Sequence, residues 1–118
     1  MSDSAAKLDV EFLRELLEGD VEFARELFET YTDSAESSLT EADSLLKSGD
    51  FENVFRPFHT LKGASASVGL TGLRALAREF EIDAKSGQHE RCQKRLSELR
   101  EAVEAGKGAL QRFLEQMG

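Results

Sequence analysis

Apolar residues in this chain recur every three or four positions from Leu8 almost to the C-terminus, and a single proline, Pro57, falls within the pattern. A period of about 3.6 residues gathers such residues on one stripe of an α-helix, whereas a strand alternates every second residue. Sustained over 118 residues, the pattern leaves room for helices and little else. The stripes divide at glycines. A short segment, "LDVEFLRELLEG", carries Phe12, Leu13, Leu16 and Leu17 on one face and stops at Gly19. Asp20 then has the place and chemistry of an N-cap for a long helix ending near Ser48 and Gly49, with Ala24, Leu27, Phe28, Tyr31, Ala35, Leu39, Ala42, Leu45 and Leu46 recurring on one stripe.

The period resumes at Phe51 and runs through Val54, Phe55, Phe58 and Leu61 to Val68. It breaks over residues 69–72 and returns as Leu73, Leu76, Ala77, Phe80 and Ala84. After a turn at "KSGQ" a last helix begins at about His89 and continues to Met117, with Gly106 and Gly108 expected to bend or fray its far end. Pro57 predicts a kink in the third helix, because it lacks an N–H and crowds the carbonyl of Asn53; alternatively the helix restarts there. Four long amphipathic helices joined by short loops predict an all-α fold: an antiparallel up-down-up-down four-helix bundle, with the short N-terminal helix lying across one end. Residues 1–7 are small and polar and read as a disordered terminus, leaving 8–118 as one domain.

The formal net charge is −8, which argues against nucleic acid or an anionic membrane surface as a partner, since both require a positive footprint. No apolar run is long enough to span a membrane or to act as a signal peptide. The single cysteine, Cys92, excludes an internal disulfide framework, and together these features predict a cytoplasmic protein. The initiator methionine favours a stand-alone chain. The charge is also uneven. From Arg56 to Arg78 lie four basic residues (Arg56, Lys62, Arg74, Arg78) and no acidic one, although the chain holds 23 acids in all.

That basic island contains an unusual stripe in "PFHTLKGASASVGL", residues 57–70. Lys62 and Gly63 follow His59 at i+3 and i+4, so all three share one side of the third helix, beside the seam defined by Phe55, Phe58 and Leu61. Ala66 continues the stripe. The result is a ring nitrogen, a mobile cation and a patch almost without side-chain bulk, where another protein's backbone could approach. A lysine so placed can neutralise a phosphoryl group. If the third and fourth helices form a hairpin about residues 69–71, Glu81 reaches the height of His59 and Arg78 that of Lys62. Glu81 then either accepts the proton of one ring nitrogen, fixing the tautomer and leaving the other nitrogen as a nucleophile, or remains an ordinary solvated acid.

"HTLKGASASVGL", with Leu73, Leu76 and the Glu81 region behind it, resembles the histidine-containing phosphotransfer domain, whose signature is His-x-x-Lys-Gly followed by small residues and a glycine. Here these are His59, Lys62, Gly63 and Gly69. The resemblance extends over most of the chain, and related domains begin chemotaxis-type histidine kinases, which carry a glutamate matching Glu81. It implies a phosphorelay carrier without kinase activity of its own, which accepts a phosphoryl group on His59 and passes it to a receiver-domain aspartate. The implied partners are a sensor histidine kinase and response-regulator receiver domains. Lys62 would assist the phosphoryl oxygens and Glu81 would orient His59, while Gly63, Ala66, Phe58 and Arg78 would dock the partner. Phe58 stands where the family often has alanine and is expected to add apolar docking surface. No cofactor is expected on this chain, Mg²⁺ belonging to the receiver, and the chain is expected to be a monomer.

Two other readings compete. An autophosphorylating dimerisation domain would place an acidic residue directly after the histidine and a proline soon after it; Thr60 and Leu61 follow here, and there is no nucleotide-binding loop. A non-catalytic helical adaptor would keep the fold and bind receiver or kinase domains without phosphorylation of His59. A metal site is disfavoured because the only two histidines, His59 and His89, fall on different helices. His89 and Cys92 read as structural, a turn residue and a small buried hydrophobe.

Overall fold

The computed structural model describes residues 6–117. Five α-helices account for most of them: α1, Val10–Leu17; α2, Val21–Ser48; α3, Phe55–Ser67; α4, Thr71–Lys85; and α5, His89–Met117, with a 3₁₀ turn over Phe51–Asn53 leading into α3. Among the described residues there is no strand beyond an isolated bridge between Leu8 and Leu70. None of these helices is long and apolar enough to cross a membrane. α2 packs against α3 and α5, and α4 packs against the same two, which closes a helical bundle around one core. At 1.5 Å per residue, α2 and α5 span the 45 Å long axis of the molecule, while α3 and α4 cover about half of it.

The helix boundaries follow local chemistry. Asp9 and Asp20 cap α1 and α2, their carboxylates accepting the backbone N–H groups of Phe12 and Phe23 at 3.1 and 3.0 Å. Gly49 ends α2 in the left-handed region, its N–H returned to the carbonyls of Leu45 and Leu46. The expected N-terminal disorder falls largely outside the described residues. At its inner end the chain is tied down: Thr71 N–H donates to the Lys7 carbonyl at 3.1 Å, and Asp9 N–H donates to the Gly69 carbonyl at 2.8 Å. The strap crosses Gly69 at a positive φ of 74°, where a Cβ would meet Phe12 at 3.1 Å and the Asp9 carbonyl at 3.2 Å.

Three sequence expectations are corrected here. Pro57 produces no mid-helix kink, because α3 begins at Phe55 and Pro57 lies in its first turn, where the N–H has no intrahelical partner to lose. α5 runs unbroken through Gly106 and Gly108. Gly106 is instead a contact point, since a Cβ there would stand 3.1 Å from Leu70 and 3.3 Å from Leu73. On α1, Leu13 and Leu17 are buried but Phe12 and Leu16 each retain 39% exposure; the short helix buries one i, i+4 pair in the core, and the second pair lies on its flank.

Candidate functional site

α3 and α4 form the hairpin that carries the site. Phe58 and Phe80 face each other across it, ring centroids 5.2 Å apart, and both are buried to 1% exposure. Each is followed directly in sequence by a polar residue, His59 and Glu81. The aromatic contact therefore sets the register that brings those two side chains together, a long-range consequence of core packing. It also corrects one expectation: Phe58 belongs to the core and offers no docking surface.

Glu81 lies on the inward stripe of α4 with Ala77 and Ala84 and is the one charged residue buried among those described. Its side chain is 5% exposed, and three nitrogens converge on it: His59 Nδ1 at 2.8 Å and Lys85 Nζ at 3.3 Å on Oε2, and Lys62 Nζ at 2.7 Å on Oε1. Burial alone would push the carboxyl pKa up. The hydrogen bonds from Lys62, His59 and Lys85 outweigh that and hold it at about 2 instead of 4.5. Glu81 is thus ionised at any ordinary pH, and of the two readings left open by the sequence the geometry realises the hydrogen-bonded one.

An ionised carboxylate can only accept hydrogen bonds, so the proton between Oε2 and His59 belongs to Nδ1. In the neutral ring this leaves the lone pair on Nε2. The His59 side chain is 63% exposed, so that nitrogen is carried on an open ring. Lys62, 28% exposed, stands on the same helix one turn on. A Cβ placed on Gly63 would meet no atom within 4 Å, and both Gly63 and Ala66 are exposed, so the stripe beside the histidine is bare as its composition predicts. Arg78 is exposed on α4, where it lines a shallow recess with Thr71, Arg74 and Ala75; it takes no part in the Glu81 cluster. Lys85 does, and sequence reasoning missed it, although its place four residues after Glu81 was a visible signal. His89 stacks on Phe51 with ring centroids 4.3 Å apart, and Cys92 is buried as a free thiol.

Chemically, the cluster presents one exposed imidazole with a fixed tautomer, one carboxylate behind it and two ammonium groups beside it. Comparison with curated proteins and with solved structures gives no match. The family model described as the Hpt domain matches residues 26–109, a span that holds His59, Lys62, Glu81 and Lys85 and leaves out residues 1–25, with α1 and its strap, and 110–118. The chain belongs to the Hpt domain family, the histidine phosphotransfer proteins of phosphorelay signalling.

Proposed function

We propose that His59 is the residue that carries the phosphoryl group, taken from a kinase or from the phospho-aspartate of one receiver domain and delivered to the aspartate of another. The observation that carries this reading is the 2.8 Å hydrogen bond from His59 Nδ1 to a buried, ionised Glu81. It supports Nε2 as the nucleophile. With an acyl phosphate donor, the Nε2 lone pair forms the N–P bond as the P–O bond breaks, and the electron pair leaves with the partner's carboxylate. Nδ1 keeps its proton throughout, so the ring becomes positively charged, and the Glu81 carboxylate at its back offsets that charge. Onward transfer runs the same steps in reverse.

Phosphoryl transfer depends more on positioning and charge neutralisation than on covalent machinery. Lys62 supplies charge to the phosphoryl oxygens. Gly63 and Ala66 leave room for the partner's backbone, and Arg78 meets its acidic surface. Three nitrogens already surround the Glu81 carboxylate, and the magnesium of the reaction is expected on the receiver domain, with none on this chain. Short connections between packed neighbours give the four long helices an up-down-up-down, antiparallel course, and the domain acts as a monomer.

Mixing the protein with phosphorylated receiver domains tests the proposal. The expected product is an acid-labile, base-stable phosphate on the wild type that is absent from His59→Gln. Label retained by His59→Gln overturns the assignment, and receiver binding without labelling gives the adaptor reading instead.

A further inference from the structure

The second lysine on Glu81 has no place in the scheme so far. Lys85 Nζ lies 3.3 Å from Oε2, the oxygen that also receives His59 Nδ1. The ammonium also sits 5.2 Å from the centroid of the Phe55 ring, a distance at which a cation is attracted to the aromatic face. Phe55 precedes His59 by one helical turn. Lys85 is therefore held by two independent contacts at the end of α4, directly behind the histidine, although its side chain is 56% exposed.

The charge arithmetic gives that position a purpose. At rest the cluster holds Glu81 at −1 and two lysines at +1 each, so with a neutral His59 it carries one surplus positive charge. A phosphoryl group on Nε2 brings about −2 and leaves the ring at +1, and the sum falls to zero. Without Lys85 the phosphorylated cluster would stand at −1. Lys62 cannot do both jobs equally well: the more its ammonium turns to the phosphoryl oxygens, the less it holds Oε1. Lys85, fixed on Oε2, loses nothing when Lys62 turns.

Resting on the phosphorylation of His59, we propose that Lys85, pinned between the Phe55 ring and Glu81, is a positioning residue that keeps the carboxylate on Nδ1 of His59 while Lys62 serves the phosphoryl group. Two substitutions separate charge from packing. Lys85→Met keeps the aliphatic stem over Phe55 and removes the ammonium; Lys85→Arg keeps a cation in reach of both partners. Label transfer from a phosphorylated receiver is timed for each, with circular dichroism to confirm folding, and nitrogen-15 spectra record the His59 ring before and after phosphorylation. An ion pair this exposed corresponds to about a 2- to 5-fold effect on rate. The expected result is that Lys85→Met slows transfer by that factor and Lys85→Arg restores it. The unphosphorylated ring should keep its Nδ1–H tautomer in Lys85→Met, held by Lys62, while the phosphorylated ring exchanges its Nδ1 proton faster than in the wild type. Wild-type rates and proton exchange in Lys85→Met, or an Lys85→Arg variant as slow as Lys85→Met, overturn the inference. Absence of label on wild-type His59 would instead remove the functional reading beneath it.

Discussion

Replacing Glu81 by glutamine tests whether the site is built on an ionised carboxylate, and the size of the effect follows from its surroundings. Burial opposes the charge, but hydrogen bonds from Lys62, His59 and Lys85 hold the pKa at about 2 where 4.5 is usual. The native state thus binds this proton more weakly than the unfolded chain does. A carboxylate so depressed stabilises the fold fully above about pH 5 and loses that contribution as the pH falls toward 2. At about 1.36 kcal/mol per pH unit the gap corresponds to about 3 kcal/mol at neutral pH. Two of the three donors are more than half exposed, so screening reduces the expected value to about 2 kcal/mol. Urea denaturation followed by circular dichroism, run on wild type and Glu81→Gln at pH 7 and pH 3, measures it. The other acidic residues titrate in both proteins and cancel in the difference. The wild type should lead by about 2 kcal/mol at pH 7 and by less than about half of that at pH 3. A difference that stays the same at both pH values refutes the reasoning, because an ordinary packing loss does not titrate.

Other outcomes follow from the same geometry. Gly63→Gln should raise stability by about 0.5 kcal/mol, since most side chains favour helix over glycine and nothing stands within 4 Å of the new Cβ; it should nonetheless slow transfer, and unchanged rates on a folded variant would remove the docking role. Gly106→Ala should lower the melting temperature by a few degrees although helix propensity alone predicts a rise, because its Cβ would press on Leu70 and Leu73, both fully buried. Glu81→Ala should let the neutral His59 ring become a mixture of tautomers in nitrogen-15 spectra and slow transfer with it. If neither changes, the carboxylate does not orient the ring.

The helices, their caps at Asp20 and Gly49, and the matching height of His59 and Glu81 were legible in the sequence because each depends on local period or on hairpin arithmetic, whereas whether Glu81 bonds the ring stayed open. Phe58 was misplaced for the opposite reason. Periodicity assigned it to the seam, yet a bulky residue beside the histidine suggested surface; only the Phe80 ring across the hairpin decides between them. Pro57 was read against a helix thought to start at Phe51, and the three residues given over to the 3₁₀ turn move it into the first turn. Gly106 looked like a weakness because the side chains that approach it come from 33 and 36 residues away, at Leu73 and Leu70. The burial of Glu81 was not visible either, since a stripe of alanines around an acid fits a solvated face as well as a seam.

The strap at the N-terminus has a consequence for the order in which the molecule comes together and comes apart. The Thr71–Lys7 contact joins residues 64 apart, whereas His59 and Glu81 are 22 apart and Lys62 and Glu81 only 19. Closing the longer loop costs about 1 kcal/mol more in chain entropy. The helical hairpin with the histidine is therefore the early-forming part of the topology, and the strap closes late. Under native conditions the order reverses, and the part held by few bonds opens first. Amide protons of Asp9 and Thr71, which bond across the strap, should exchange while those inside α3 and α4 are still protected. The hairpin that carries His59 is thus insulated from opening of the strap: residues 7–9 can come loose and return without disturbing the carboxylate behind the histidine.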